Sequence, residues 1–204
     1  MNQFLTAQAL IDGKLAAEKR IYCSKLPVVY IDTDDGYGIT SKTEYKSASM
    51  HVQGNDVYNS GVTALYDGGI SIRGRGNSTW NAAFSKLPYK IKLDKKTDLM
   101  GFGVSKHWAL LANFMDESLI RNTTSYDLSG KMGMTYLKSA HVELIFNGTY
   151  AGNYQLVGNV RIDEGRVDIH DWEDTAGDVA KAIAKAEKAN GTAVDQDALE
   201  DYLN

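Results

Sequence analysis

The dipeptide Asn147-Gly148, set between two segments of alternating polar and apolar residues, narrows the possible folds of this chain more than any other feature. Residues 141–146 precede it and residues 149–156 follow it. An Asn-Gly pair adopts positive φ angles readily, and the resulting turn matches the twist of two antiparallel strands. The sequence therefore predicts a β-hairpin with a type I′ turn at this point.

Four earlier segments also have the pattern of strands. Residues 89–93 alternate strictly, so Tyr89, Ile91 and Leu93 share one face of a predicted strand and two lysines share the other. A strand is also predicted at residues 26–31, where an apolar, β-branched run ends at aspartate, and at residues 44–52 and 69–76, which alternate. We expect these strands to form a mainly antiparallel sheet.

Helices are predicted in three places. The apolar positions of residues 1–20 fit a short helix, and residues 117–132 fit one helical face with Asp116 as N-cap. From about Thr175 the chain becomes rich in alanine and charge, and we expect two helices there, joined at Asn190-Gly191. The predicted fold class is α+β: a mainly antiparallel sheet with one packed helix, followed by a helical C-terminal tail.

These elements predict three parts of the chain. Residues 1–25 are expected to form an N-terminal helical segment, residues 26–172 the main domain, and residues 173–204 a helical segment that begins a further lobe. The last residues, Tyr202-Leu203-Asn204, have no trailing polar segment, so we expect the chain to be cut there.

Composition excludes some functions. The 22 Lys and Arg residues against 26 Asp and Glu residues give a net charge of −4, so nucleic-acid binding is disfavoured. No apolar run reaches membrane-spanning length, and the N-terminus lacks the pattern of a signal peptide. Cys23 is the only cysteine, the four histidines have no metal-ligand spacing, and residues 32–36 lack the pattern of an EF-hand, so no metal site is expected.

The first candidate for a binding site is the loop at residues 73–80. It brings Arg73, Arg75 and Ser78 together with glycines that allow close approach to a ligand, and such a loop can hold phosphate through side chains and free backbone amides. The residue types are equally those of an ordinary solvent-facing hairpin loop. Both interpretations remain open at this level.

Lysines and carboxylates nearby form two further candidates. Lys86 and Lys90 lie on or next to the strand that follows the loop, as in phosphate sites that place a strand lysine behind a glycine-rich loop, although lysines also protect exposed strand edges. Asp116 and Glu117 either pair with a strand lysine or serve the helix, as an N-cap and as the partner of Arg121.

Taken in order, six motifs resemble the CotH family, the relatives of spore coat protein H that are often called CotH kinases. The resemblance runs from about Leu26 to Ile169, and nothing after Ile169 matches. The motifs are Leu26-Pro-Val-Val-Tyr-Ile-Asp-Thr, Ile72-Arg-Gly-Arg-Gly-Asn-Ser-Thr-Trp80, Lys86-Leu-Pro-Tyr-Lys-Ile-Lys-Leu93, Lys106-His-Trp-Ala-Leu-Leu-Ala-Asn113, Ser118-Leu-Ile-Arg-Asn122 and Gly152-Asn-Tyr-Gln-Leu156.

The resemblance implies an atypical protein kinase fold that uses ATP and Mg²⁺ to phosphorylate Ser or Thr of partner proteins. The loop at residues 73–80, the arginine loop, would lie near the phosphates in the N-lobe. Lys86 would contact phosphate, with Lys90 as the alternate. The helix from Glu117 would lie behind the strand that carries these lysines. Residues 152–160 would lead towards the hinge. Related bacterial domains occur in secreted surface proteins, which implies an extracellular or cell-surface location.

Two departures from the family pattern limit this interpretation. Gly158-Asn159 stands where relatives commonly have an acidic residue. The catalytic and Mg²⁺-binding aspartates of the family lie in a C-lobe that has no counterpart here, so we name no catalytic residue and expect the chain alone to be inactive.

The alternative is a non-catalytic surface module of the same fold that binds protein or carbohydrate. Trp80, Trp108 and Trp172 are the aromatic residues that would permit it.

Overall fold

A computed structural model of the chain describes residues 3–55, 64–162, 166–167, 169–191 and 195–203. The chain divides into two compact units, Met1–Val160 and Arg161–Asn204. The predicted domain boundaries after residues 25 and 172 stay predictions.

The described elements of the first unit are nine strands and one helix. They are β1 Gln3–Ile11, β2 Lys14–Cys23, β3 Val28–Thr33, β4 Lys46–Gln53, β5 Ala64–Gly74, β6 Tyr89–Asp98, β7 Val104–Leu111, α1 Arg121–Lys131, β8 Ser139–Phe146 and β9 Thr149–Gly158. The second unit contains α2 Trp172–Ala189 and α3 Gln196–Leu203. Neither of these helices, nor α1, is long and apolar enough within the described ranges to cross a membrane.

Strands β3 to β9 close into a seven-stranded barrel in the order β3-β4-β5-β6-β7-β9-β8. Each neighbouring pair is antiparallel except β3 and β8, which run parallel and pair Val28 with Glu143. The predicted α+β fold with a packed helix is therefore wrong: the unit is a closed barrel, and no described residue of α1 is buried. Local alternation cannot reveal this closure, because the two closing strands are far apart in sequence.

Inward-facing residues of the barrel strands form one hydrophobic core. Ile31, Ile72, Ile91 and Leu144 are all essentially inaccessible to solvent. Trp108 is fully buried among them, and its indole nitrogen donates a hydrogen bond of 3.0 Å to the backbone oxygen of Ser105. The alternation seen in the sequence thus does divide the strands into an inner apolar face and an outer face.

The N-terminal segment is a hairpin rather than the predicted helix. Strands β1 and β2 pair antiparallel across Asp12 and Gly13, whose φ angles are 51° and 72°. Two positive φ angles define a type I′ turn. The apolar residues fitted a helical face, but an Asp-Gly pair between two such runs is itself a hairpin signal.

The other predicted turns and helices agree better with the structure. Asn147 and Gly148 have φ angles of 47° and 72°, so the type I′ hairpin of β8 and β9 is confirmed. The two helices expected near the C-terminus are present as α2 and α3. α1 begins at Arg121 instead of 117, because Leu119 has a positive φ of 61° that no α-helix accommodates.

The Asn147 side chain joins the β8–β9 turn to the end of β3. Its Oδ1 accepts the backbone amide of Thr33 at 2.9 Å, and its Nδ2 donates to Thr33 Oγ1 at 3.1 Å and to the backbone oxygen of Gly36 at 3.0 Å. These bonds hold together the two strands whose pairing closes the barrel.

We predict that Asn147→Gly lowers the free energy of unfolding by about 2 kcal/mol, because it removes the side-chain hydrogen bonds and keeps the backbone conformation. Asn147→Ala is expected to cost about 1 kcal/mol more, since alanine is strained at positive φ. Urea unfolding monitored by fluorescence measures both. If both variants have a free energy of unfolding within about 0.5 kcal/mol of that of the unmodified chain, Asn147 has no role in closing the barrel.

Candidate functional site

A strongly basic hollow of about 350 Å³ lies where β5 ends. Four cationic side chains line it: Lys42, Arg73, Arg75 and Lys90. The other described lining residues are Gly74, Gly76, Asn77 and Asn159, so none of them is acidic. We call this hollow the basic recess. In a chain whose net charge is −4, the recess is a local concentration of positive charge.

The pairing of β5 with β6 sets two of these cations side by side. Arg73 lies directly opposite Lys90 in the antiparallel register, while their neighbours Ile72 and Ile91 face the core. Like charges directly opposite each other on one sheet face destabilise the sheet. An anion bound between them would remove that repulsion.

Arg73 is largely engaged within the protein. Its Nη1 donates to the backbone oxygen of Lys42, and its guanidinium carbon lies 5.0 Å from the centre of the Tyr45 ring. Lys42 in turn donates from Nζ to the backbone oxygen of Gly76 at 3.2 Å. These reciprocal contacts clamp the loop that carries Lys42 against the end of β5, so Arg73 shapes the recess as well as charging it.

The loop after β5 offers fewer free backbone amides than the sequence indicated. The amide of Gly74 donates to Ser41 at 2.8 Å, and that of Arg75 donates to Pro88 at 3.2 Å. Gly76 has a φ of 91°, and a Cβ there would collide with the hydroxyl of Thr79. The glycine is thus required by the turn, while the side chains are left to contact a ligand.

Arg75 lies at the junction between the basic recess and a larger cleft, and it lines both. The side chain is half-buried, and burial lowers the pKa of Arg75. Within the described part of the chain its guanidinium has no hydrogen-bond or ion-pair partner. A partly desolvated cation without a counter-charge is costly to keep in a folded protein.

The larger hollow, which we call the cleft, has a volume of about 490 Å³. Its apolar lining includes Ala109 and Leu111 of β7 and Val157 of β9. Phe84 and Phe114 also line it and stack on each other with ring centres 4.6 Å apart. The cleft therefore combines an apolar, aromatic wall with the charged end at Arg75.

Tyr126 of α1 lines the same cleft as Arg75. Burial raises the pKa of Tyr126, and the nearby positive charge of Arg75 opposes that rise. The phenol has no hydrogen-bond partner among the described residues. A hydroxyl donor and a guanidinium are thus both available at one end of the cleft.

Asp116 organises the loop before α1 rather than capping a helix that begins at 117. Its Oδ1 accepts from the amide and hydroxyl of Ser118 at 3.1 and 2.6 Å, and its Oδ2 accepts from the amide of Arg121 at 2.9 Å. Arg121 Nε lies 3.5 Å from Oδ1 of the same carboxylate. Glu117 is exposed and makes no ion pair within the described ranges, and its pairing with Arg121 stays a prediction.

Two of the predicted phosphate-contacting residues lie away from both hollows. Lys86 does not line either one; its Nζ is 4.9 Å from the centre of the Tyr154 ring, and burial lowers the pKa of Lys86. Ser78 is exposed and lines neither. A nucleotide-binding role for these two residues stays a prediction.

The structure adds two residues that the sequence did not single out: Lys42 lines the basic recess and Tyr126 lines the cleft. Asn159, noted in the sequence only as a departure from the family pattern, also lines the recess. The position of Tyr126 fits the apolar face of the predicted helix as well as it fits a cleft wall. Nothing in the sequence around Lys42 distinguishes it from other loop lysines.

The fold and the site define a closed β-barrel unit that carries a cationic recess beside an aromatic cleft. The sequence model of the CotH kinase protein family matches residues 72–203, which is more than half of the chain. The chain belongs to the CotH kinase family, as the resemblance implied. The match continues well past Ile169, so the expectation that family similarity ends there is wrong.

The match begins at the arginine loop, so the basic recess lies largely within it. It does not include the first of the six motifs, at Leu26. A search among curated proteins found no match to the chain.

The hydrogen bonds to Asp116 give a prediction about pH. They lower the pKa of Asp116, with the Ser118 side chain as the largest cause. Because the pKa in the folded state is lower than the ordinary value of about 3.9, the bonds stabilise the loop at pH values above about 3.9. This stabilisation is lost as the pH falls through the lower pKa of the folded state. A carboxyl ¹³C NMR titration is expected to place the midpoint of Asp116 below about 3.9.

Ser118→Ala is the matched variant for this titration. It is expected to move the Asp116 midpoint upwards towards the ordinary value, since the hydroxyl donor is removed. An unchanged midpoint in Ser118→Ala would contradict the role assigned to the hydroxyl.

Proposed function

We propose that the basic recess binds the phosphate groups of a nucleotide, and that this binding serves the phosphorylation of Ser or Thr in partner proteins. The observation that carries the proposal is the half-buried guanidinium of Arg75 at the junction of recess and cleft, which has no hydrogen-bond or ion-pair partner among the described residues. Membership of the CotH kinase family supports the same interpretation.

Arg75 and Lys90 are the side chains best suited to contact phosphate oxygens. Neither has a hydrogen-bond or ion-pair partner among the described residues, whereas Arg73 and Lys42 are already bonded to backbone oxygens. Guanidinium groups match phosphate in geometry and form charge-assisted hydrogen bonds with it. A polyphosphate would also neutralise the direct opposition of Arg73 and Lys90.

The cleft suits the uncharged part of a nucleotide. Because Arg75 lines both hollows, a ligand with its phosphates in the recess can extend directly into the cleft. The stacked rings of Phe84 and Phe114 and the apolar residue Leu111 present surfaces to which a planar base can bind. The combination of a charged end and an aromatic wall favours a nucleotide over inorganic phosphate.

The phosphate part of ATP fits these residues better than a metal ion does. ATP would supply the transferred phosphoryl group, and Mg²⁺ would neutralise charge on its oxygens. Among the residues that the structure describes, no three His, Cys, Asp or Glu side chains come close enough together to hold a metal ion. We therefore assign phosphate contacts to this chain and name no Mg²⁺ ligand.

The carbohydrate- or protein-binding module has less support. Trp108 is fully buried and cannot contact a ligand, and Trp80 packs beside Gly74 at the edge of the core. Trp172 is exposed, on α2. The three tryptophans therefore do not form one aromatic surface, and no described feature favours this function over nucleotide binding.

We predict that the chain binds ATP, and that Arg75→Gln and Lys90→Ala each weaken the binding by more than about tenfold, or about 1.4 kcal/mol. Isothermal titration calorimetry with ATP, in the presence and absence of Mg²⁺, measures this. Tripolyphosphate is expected to compete, because the recess recognises the phosphates.

Lys92→Ala is the matched control, because Lys92 lies two residues along β6 and does not line the recess. Its affinity for ATP is expected to equal that of the unmodified chain. No ATP binding by the unmodified chain, or equal losses in Lys90→Ala and Lys92→Ala, would overturn the proposal. Transfer of labelled phosphate from ATP to a Ser-rich acceptor then tests the catalytic part separately.

A further inference from the structure

α1 forms one wall of the cleft, yet little in its own sequence keeps it helical. It has 11 residues, including Thr123, Thr124 and Gly130, and none of the described residues is buried. A helix this short is marginal in isolation, and threonine and glycine lower its stability further. Contacts with the barrel must therefore hold it in place, and because no described residue of α1 is fully buried, polar contacts must contribute.

The main contact is a polar one made through Gln155 on the outer face of β9. Gln155 is fully buried, and its Nε2 donates to Thr123 Oγ1 of α1 at 3.1 Å and to Ser139 Oγ of β8 at 2.9 Å. Its Oε1 accepts from Asn113 Nδ2 at 3.1 Å. All the polar atoms of this buried amide are thus used to join α1, β8 and the loop before α1.

The contact continues on both sides of Gln155. Asn122 of α1 donates from Nδ2 to Asn113 Oδ1 at 3.0 Å, and Thr123 Oγ1 lies 3.1 Å from His141 Nε2. His141 Nδ1 lies 2.9 Å from Asn153 Oδ1. We call the connected side chains the polar seam; they are Asn113, Asn122, Thr123, Ser139, His141, Asn153 and Gln155.

The direction of each bond in the seam follows from its partners. The amide of Asn153 donates to the backbone oxygen of Val142, so its Oδ1 accepts the proton of His141 Nδ1. His141 Nε2 then accepts the proton of the Thr123 hydroxyl, which itself accepts from Gln155. Removing the hydroxyl of Thr123 therefore breaks two bonds and leaves α1 joined mainly through Asn122.

The seam also reaches the cleft. Asn113 and Asn122 are themselves lining residues, and Tyr126 lies one helical turn beyond Thr123. Tyr126 lines the cleft together with Arg75. The position of the phenol relative to the guanidinium therefore depends on how α1 is held.

We infer that Thr123 is a positioning residue for ligand binding in the cleft: through the polar seam it holds α1 so that the Tyr126 hydroxyl and Arg75 contact the same ligand. This inference rests on the proposed function, since the ligand is the nucleotide that the basic recess binds. It adds α1 and Tyr126 to the residues that determine affinity. It also implies that ligand binding stabilises α1.

The test compares Thr123→Val with Thr123→Ser and Thr124→Val. Valine keeps the shape of threonine and removes the hydroxyl, and serine restores the hydroxyl. Thr124→Val is the same change one residue along, where the side chain is exposed and makes no hydrogen bond with a described residue. Hydrogen–deuterium exchange of the α1 amides reports the attachment of the helix, and calorimetry with ATP reports affinity.

Thr123→Val is expected to speed exchange in α1 and to weaken ATP binding, each by about three- to tenfold, as the loss of one or two hydrogen bonds implies. Thr123→Ser and Thr124→Val should match the unmodified chain in both measurements. Tyr126→Phe should weaken ATP binding without speeding exchange in α1, because its hydroxyl has no partner in the described protein.

Faster exchange with unchanged affinity in Thr123→Val would overturn the inference and leave the proposed function intact. Unchanged exchange in Thr123→Val would overturn it as well, because the seam would not be holding α1. If the unmodified chain binds no ATP, the proposed function fails, and the inference fails with it.

Discussion

The parallel pairing of β3 with β8 is the constraint on which the rest of the first unit depends. It joins the two ends of the sheet into a closed barrel, so every strand has one face committed to the core and one face turned outwards. Both hollows are built on the outward face or at the end of β5. The Arg73–Lys90 opposition comes from the β5–β6 register within this barrel.

The cations of the basic recess fall into two groups: those bonded to the protein backbone and those free to contact a ligand. Arg73 and Lys42 use their donors to hold the two loops of the recess together, while Arg75 and Lys90 keep theirs free of described partners. The same division applies in the cleft, where Asn113 and Asp116 are held by hydrogen bonds and Tyr126 makes none with a described residue. Arg75 thus shares the recess with Lys90 and the cleft with Tyr126, and all three lack a hydrogen-bond partner among the described residues.

The sequence could predict features that depend on residues close together in the chain, and not those that depend on residues far apart in the chain. The Asn147 turn and the inner face of β6 follow from neighbours in the chain, and these predictions agree with the structure. Barrel closure and the contribution of Lys42 depend on residues distant in sequence. Lys86 fitted the motif of a phosphate lysine, yet its side chain packs beside Tyr154, which no local pattern indicates.

The central claim, that Arg75 is a phosphate-binding group kept free within the fold, is tested most directly by NMR of the arginine side chains. Pyrophosphate would be added to ¹⁵N-labelled protein while the Nε–Hε signals are followed. We predict a saturable shift of Arg75, together with little change in Arg166, which lines neither hollow and serves as the internal control. No shift of Arg75, or equal and unsaturable shifts of both arginines, would contradict the account.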